Sequence, residues 1–153
     1  LSYVQPTPGE LPPFAIWEWT GVPLQPPSAG ESVSLDETLG FVRYEWRGDP
    51  RLGEEMEVLT YWRVVDPPAR PLSLMLHLVD RAGTPVAVGD GLGVGIDQWQ
   101  PGDLIVQRHV LNLPSDLAPG DYQLRTGAYW LDDLTRLRTG DWTEIPLETV
   151  TVR

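Results

Sequence analysis

From residue 32 onward, the sequence consists of short segments in which apolar and polar residues alternate, separated by clusters of Gly, Pro and Asp. Such alternation places successive side chains on opposite faces, as in a β-strand that is half buried against a core. No window of eleven residues keeps a helical spacing of apolar positions without an interrupting Gly or Pro. The pattern therefore predicts an all-β domain.

Eight segments have this character, and they predict strands near residues 32–36, 39–46, 55–65, 72–80, 84–88, 104–113, 121–131 and 145–152. Strands that recur at short intervals between turn residues are typical of an antiparallel two-sheet β-sandwich. We expect an immunoglobulin-like or jelly-roll-like sandwich of about seven to nine strands. Alternation predicts two core-facing sets: Met56, Val58, Thr60, Trp62 and Val64 in one strand, and Leu72, Leu74, Leu76 and Leu78 in the next.

The run "LPSDLAPGDYQLRTGAYW" at residues 113–130 carries a Pro-Gly turn that leads directly into a strand. The first inward residue of that strand is Tyr122. This arrangement resembles the tyrosine corner of sandwich domains, in which the phenol hydroxyl bonds to upstream backbone. An ordinary tyrosine at the edge of the core is the alternative.

The first thirty residues contain seven prolines, which favour extended conformations. We therefore predict a Pro-rich leader or linker over residues 1–30, partly packed on the domain, and a single β-sandwich domain over residues 31–153. Within the leader, "FAIWEWT" at residues 14–20 is either a short strand or a segment whose Trp17 and Trp19 pack on the domain. The start at Leu1 suggests a piece of a longer protein.

The net charge is -11, and all eleven basic residues are arginine. Such a chain repels nucleic acid and anionic lipid, so we predict no nucleic acid partner. No apolar run is long enough for a transmembrane helix, so we predict no direct membrane insertion of this chain. The absence of cysteine excludes disulfides and thiolate metal sites.

The stretch "VAVGDGLGVGIDQWQPGD" at residues 86–103 has the composition of a ligand loop but not the spacing of one. Neither Gly89 nor Gly91 begins a dinucleotide fingerprint, and a Walker loop needs the lysine that this chain lacks. The EF-hand ligand positions are also wrong. A long crossover between the sheets is the simplest interpretation, with a binding role left open. The alternative interpretation is a calcium site, in which the side chains of Asp90, Asp97 and Asp103 come together around the ion.

Catalytic motifs are absent from the sequence. His77 and His109 lie on different predicted strands without further ligands at metal spacing, so structural roles are expected. The adjacent pair Asp132 and Asp133 has the context of a hairpin tip. We predict that the chain is not an enzyme and needs no cofactor, although a hydrolase that pairs two distant carboxylates would leave no sequence signal.

Aromatic residues near strand ends and turns are the better candidates for binding. Trp99, Tyr129, Trp130 and Trp142 have this placement, and exposed rings of this kind stack on the apolar faces of sugars. Burial in the core or over a sheet edge is the alternative for each ring. A carbohydrate-binding module that uses these rings is therefore one functional hypothesis.

The order of the segments resembles a known family. It is similar to the soluble C-terminal β-sandwich region that follows the membrane helices in bacterial polytopic glycosyltransferases of the dolichyl-phosphate-mannose protein mannosyltransferase type. The resemblance covers roughly residues 33–152. It rests on short turn and strand signatures at Phe41, Trp62, His77, Leu78, Asp80, Gly83, Trp99, Pro101, Gly102, Pro119, Gly120, Tyr122, Gly127, Tyr129, Arg136 and Leu137.

The resemblance implies a non-catalytic accessory module, because catalysis in those transferases belongs to the membrane portion. It transfers no catalytic residue. It further implies an extracytoplasmic domain in the cell envelope, tethered through a membrane region that this chain lacks, with a glycan or polypeptide acceptor as partner. The sequence departs from the family at "GDGLGVGID", where a Pro-containing loop is expected.

Overall fold

A computed structural model describes residues 32–91 and 95–153. The predicted leader, residues 1–30, and residues 92–94 of the glycine-rich stretch lie outside these ranges. The described chain forms eight strands and one short 3-10 helix, Ile96–Gln98. The strands are β1 (Val33–Leu35), β2 (Leu39–Arg47), β3 (Glu55–Val64), β4 (Leu72–Val79), β5 (Pro85–Val88), β6 (Leu104–Asn112), β7 (Gly120–Trp130) and β8 (Ile145–Val152). The all-β prediction is confirmed.

The strands form two four-stranded antiparallel sheets. Sheet A has the order β1-β2-β3-β6, and sheet B has the order β5-β4-β7-β8. The predicted two-sheet antiparallel sandwich is therefore confirmed. The immunoglobulin-like detail gains no support from this order, because the first sheet of a constant-type immunoglobulin domain joins the first, second, fifth and fourth strands.

The inner faces follow the predicted alternation. Met56, Val58, Thr60, Trp62 and Val64 are at most 1% exposed, and the four leucines of β4 are fully buried. These faces enclose two apolar clusters, one around Trp62 and Leu74 and the other around Val58 and Leu124. Close packing of the two inner faces accounts for the sandwich.

The outer faces depart from simple alternation, because several outward residues are also buried. Every residue of β4 is buried, including the outward-pointing Met75 at 1% exposure. A chain segment crosses the outer face at that place: the carbonyl oxygen of Thr143 lies 3.3 Å from where a Cβ on Gly127 would stand, and Met75 Cε lies 3.2 Å from the same point. The link between β7 and β8 therefore folds back over sheet B.

The tyrosine corner is present. The Tyr122 hydroxyl donates a hydrogen bond of 2.7 Å to the carbonyl oxygen of Ala118, four residues upstream. The turn before it contains Gly120, whose φ of 153° suits the residue type that tolerates such backbone. The Pro-Gly-x-Tyr pattern thus predicted a specific tertiary hydrogen bond.

Candidate functional site: the polar outer face of sheet B

The glycine-rich stretch begins as an extension of β5. The Gly89 N–H bonds to the Leu76 carbonyl at 2.9 Å, and the Gly91 N–H bonds to the Leu74 carbonyl at 2.8 Å. The chain then leaves sheet B and enters sheet A at β6. The predicted crossover between the sheets is confirmed, and its first part is pinned to β4.

Asp90 lies at the centre of a polar cluster on the outer face of sheet B. Its Oδ1 accepts the Leu76 N–H at 3.0 Å and lies 3.1 Å from His77 Nε2. Its Oδ2 accepts the Tyr129 hydroxyl at 3.1 Å. Burial by itself would raise the pKa of Asp90, but the hydrogen bonds from His77, Leu76 and Tyr129 outweigh it and lower that pKa. Asp90 is therefore held as a carboxylate.

The three aspartates proposed for calcium do not come together. Asp97 is exposed on the 3-10 helix, and Asp103 accepts the Gln100 N–H at 2.9 Å. Across residues 32–91 and 95–153, no three His, Asp or Glu side chains are grouped so that they could hold a metal ion. Both oxygens of Asp90 already accept hydrogen bonds, so the calcium hypothesis for Asp90, Asp97 and Asp103 is not supported.

Beneath this face, the fully buried His109 belongs to an ordered chain of hydrogen bonds. Its Nδ1 lies 2.6 Å from the Gly89 carbonyl, so Nδ1 carries the proton. Its Nε2 then accepts from the Thr60 hydroxyl at 2.8 Å, and that hydroxyl accepts from Trp62 Nε1 at 2.8 Å. Burial lowers the pKa of His109 to about 4. The neutral imidazole therefore links β3, β6 and the crossover.

A second polar group on the same outer face surrounds Glu144, and we call it the Glu144 brace. Arg125 Nη1 donates to Glu144 Oε2 at 2.9 Å, and Arg136 Nη1 donates to the other oxygen. Arg125 also donates to Gln123 Oε1. Burial would raise the pKa of Glu144, but the two guanidinium groups lower it. The brace ties β7 to both arms of the β7–β8 link.

The brace supports a tight hairpin that ends in Trp142. Thr139 and Trp142 exchange two backbone hydrogen bonds, of 2.9 and 3.1 Å. Gly140 between them has a φ of 59°, which glycine adopts without strain. The Trp142 side chain is 70% exposed. The structure thus holds a large apolar ring in solvent on a short and well-anchored turn.

The other predicted aromatic residues differ in exposure. Trp99 is only 7% exposed and packs in the core cluster around Trp62, so the alternative of burial holds for this ring and it is not a stacking candidate. The "WQPGD" turn directs this ring into the gap between the sheets. Trp130 is half-buried beneath the Arg70 guanidinium, which lies 4.4 Å from the ring centre. Tyr129 is also half-buried, and its hydroxyl bonds to Asp90.

A shallow depression of about 340 Å³ extends the polar surface toward the start of β7. The outward side chains of β7 line it, and the turn between β4 and β5 forms its rim. Its lining residues are Asp80, Arg81, Asp121, Tyr122, Gln123, Arg125 and Thr149. Because Arg125 belongs both to this depression and to the Glu144 brace, the polar surface is continuous from Asp121 to the Trp142 hairpin. We call it the polar track.

The acid pair Asp132 and Asp133 lies away from the track. Arg70 Nη1 contacts Asp132 at 2.8 Å and Asp133 at 3.1 Å. Hydrogen bonds from Thr135, with a further one from Arg70, lower the pKa of Asp133. A carboxyl group with a lowered pKa is a poor general acid, so the pair has the character of a stabilised turn.

Sequence reasoning identified Tyr129 and Trp142 but missed the brace between them. Arg125, Arg136 and Glu144 are separated in sequence, and although Arg136 belongs to the Arg-Leu signature of the resemblance, no motif links it to the other two. A bridge between Tyr129 and Arg136 brings the returning chain beside β7. The one available signal was Gly127, which marks a strand position where another backbone approaches closely.

Fold and site together define a two-sheet antiparallel β-sandwich domain with a polar outer face. No family model matches the sequence, and the search of curated proteins finds no match. Fourteen chains of solved structures match significantly. One is the C-terminal domain of Wzt, with a TM-score of 0.54 and 14% identity over 84% of this chain and 82% of that chain.

At that identity, the likeness to the Wzt domain shows the fold and nothing more. The comparisons do not support the resemblance to the glycosyltransferase family. They do show that this sandwich architecture serves elsewhere as the C-terminal domain of another protein. Among the described residues, no helix is long and apolar enough to span a membrane.

Proposed function

We propose that this domain is a non-catalytic accessory module of a larger protein, and that it binds glycan through the polar track and Trp142. The observation that carries the proposal is the 70% exposed Trp142, on a hairpin whose returning arm joins the Glu144 brace. A sugar ring has an apolar face that suits an indole and hydroxyl groups that suit Arg, Gln and Asp side chains. The track offers both kinds of contact.

The absence of catalysis is part of the proposal. The carboxyl groups of Asp90, Asp133 and Glu144 all have lowered pKa values, whereas a general acid needs a raised one. His109 is enclosed, with both ring nitrogens bonded. A hydrolase assay on the glycans that bind tests this point, because turnover that Asp90→Asn or Glu144→Gln abolishes would contradict it.

The experiment for binding is a glycan array followed by titration of the best ligand. Trp142→Ala should weaken binding at least about fivefold, because a central aromatic contact is typically worth more than about 1 kcal/mol. Leu134→Ala is the matched control, since Leu134 is 68% exposed and lies on the same β7–β8 link. Equal affinities for wild type and Trp142→Ala, or binding of a polypeptide in place of every glycan, would overturn the glycan proposal.

The setting of the domain is also proposed. The motif resemblance supports an extracytoplasmic location, with a membrane-tethered and glycosyltransferase-like parent protein. The net charge of -11 is compatible with a module that does not bind anionic lipid headgroups, because like charges repel. The sequence of the complete gene tests this, together with protease protection of the domain in spheroplasts. A cytoplasmic domain in a protein without membrane helices would contradict it.

A further inference from the structure

The outer face of sheet A is organised in rows across three strands. Directly paired residues of an antiparallel sheet share a face, so the register identifies the outward side chains. Three rows of outward residues cross the sheet: Arg43–Tyr61–Val106, Glu45–Leu59–Arg108 and Arg47–Glu57–Val110. We call this surface the sheet A outer face.

The centre of the sheet A outer face is apolar and closed to water. Leu59 is 4% exposed and Tyr61 is 1% exposed, although both point away from the core. The Arg43 guanidinium lies 3.9 Å from the Tyr61 ring centre. A solvated outer face normally alternates with polar residues, so burial of this degree is typical of a face that is covered.

The charge of this surface is opposite to that of the whole chain. Its outward residues include four of the eleven arginines, whereas the outward acids number three. The face therefore carries a net charge of +1 on a chain of net charge -11. The acids are Glu45, Glu55 and Glu57, and the arginines are Arg43, Arg47, Arg63 and Arg108. A partner that carries both acidic and apolar side chains therefore complements the sheet A outer face.

The first described residue, Ser32, lies on the side of this face. A Cβ at Gly40 would lie 2.6 Å from Ser32 Oγ and 4.0 Å from Arg63 Cβ. Because Arg63 points outward, Ser32 also lies on the outer side of sheet A. Ser32, the first described residue, thus stands at the edge of sheet A with its side chain on the sheet A outer face.

Residues 1–31 have the composition that this face requires. They contain three glutamates and no basic residue. Within "FAIWEWT", alternation would place Ala15, Trp17 and Trp19 on one side and Glu18 on the other. The eleven residues between Thr20 and Ser32 reach up to about 40 Å, well beyond the width of about 15 Å of a four-stranded sheet.

We propose that residues 14–20 of this same chain dock on the sheet A outer face, with Trp17 and Trp19 over Leu59 and Tyr61. Continuity of the chain makes the contact intramolecular, with a high effective concentration. The docked segment occupies sheet A and leaves the polar track on sheet B free. This inference is independent of the proposed function, because it concerns the opposite side of the sandwich.

The absence of cysteine in the chain allows a clean test by paramagnetic relaxation. A nitroxide attached to Thr20→Cys in the full chain should broaden the amide signals of Tyr61, Val106 and Arg108 and remove most of their intensity. The signals of β7 and β8 should keep their intensity. A nitroxide on Thr151→Cys, on the exposed outer side of sheet B, is the control and should give the reverse pattern.

Three further samples decide the occupant. Adding Trp17→Ala and Trp19→Ala to the labelled chain should restore the β3 and β6 signals, whereas Ile16→Ala, on the other side of the segment, should not. A mixture of labelled ¹⁴N chain and unlabelled ¹⁵N chain should show no broadening. Broadening in that mixture would assign the face to a second copy, and no broadening of β3 in the labelled chain would overturn the proposal outright.

Discussion

His109 shows how a single buried polar residue acquires one defined state. Its Nδ1 faces a carbonyl, which only accepts, and therefore carries the proton. Its Nε2 must then accept from Thr60, whose oxygen in turn accepts from the Trp62 indole. Each of these groups has a partner of the correct kind, as buried polar groups require. A second proton on His109 would disturb this order.

The first prediction concerns this proton. The folded pKa of about 4 lies below the unfolded value of about 6.5, so the unfolded chain binds more protons between these limits. The free energy of unfolding should therefore fall as pH falls through this window. Between pH 7 and pH 5, the loss attributable to His109 is about 2 kcal/mol.

Urea unfolding of the wild type and of His109→Gln at both pH values checks this assignment. Glutamine can donate to Gly89 and accept from Thr60 but does not titrate, so the variant should be less sensitive to pH over the same interval. Identical pH dependence in the two proteins would show that another group is responsible.

Gly89 illustrates a different constraint, the close approach of two backbones. A Cβ at this position would lie 2.8 Å from the Val110 carbonyl oxygen and 3.1 Å from Leu111 Cδ2. Gly89→Ala should therefore destabilise the fold by about 1–3 kcal/mol, the usual cost of overpacking. Gly95→Ala is the control: its φ of -67° suits any residue, and its added methyl group would meet only Asp97 Oδ1 at 4.0 Å. Thermal unfolding of both variants tests the difference.

At the scale of elements, the Trp142 hairpin depends on contacts outside itself. A four-residue turn has few hydrogen bonds of its own, and Thr139 and Trp142 supply only two. The Glu144 brace holds the returning arm to β7, and the Arg138 N–H bonds to Asp36 Oδ2 at 3.1 Å on the other arm. The backbone of the hairpin that carries Trp142 is therefore held by sheet B and by the β1–β2 turn together.

Removing the brace should loosen this hairpin. In Glu144→Gln, the two arginines lose a partly buried carboxylate, and hydrogen bonds to charged groups are worth about 1.5–3 kcal/mol. We expect lower stability by about that amount and faster hydrogen exchange at the amides of Thr139 and Trp142. Asp141→Asn, on the exposed part of the same turn, should change stability by less than about 0.5 kcal/mol. Unchanged exchange in Glu144→Gln would show that the turn is rigid without the brace.

At the scale of the whole molecule, local patterns predicted the strands but not the sheets. All eight strands lie where alternation predicts them, within one or two residues, because the alternating apolar residues of each segment form its core-facing side. The Pro-Gly-x-Tyr pattern predicted the Tyr122 corner because that bond spans only four residues. The sheet order is a global property, and it arises from packing that no single segment encodes.

The candidate site was less predictable for the same reason. Asp90 contacts His77 and Tyr129, which lie on strands that become neighbours only through the order β5-β4-β7. The composition of the glycine-rich stretch suggested a metal loop, whereas the carboxylate of Asp90 serves a cross-strand network. Trp99 was a candidate stacking ring with burial as the alternative, and its apolar area is buried between the sheets.

The last prediction tests how the two sheets are joined along the side where β2 faces β8. Trp46 Nε1 of β2 donates to Glu148 Oε1 of β8 at 2.5 Å. Burial raises the pKa of Tyr44, and the nearby charge of Glu148 adds to that shift, so this one carboxylate interacts with two side chains of the opposite sheet. Glu148→Gln should therefore lower stability by about 1–2 kcal/mol, whereas the neighbouring and exposed Thr149→Ala should not.

A double-mutant cycle with Trp46→Phe separates this contact from other effects of either change. Because phenylalanine keeps most of the apolar area but removes the N–H, the cycle isolates the hydrogen bond between the sheets. We expect a coupling of about 1 kcal/mol in urea unfolding, since residues in one network are not additive. Additive losses would mean that Trp46 and Glu148 stabilise their own sheets separately, and that apolar packing alone holds the sandwich closed along this side.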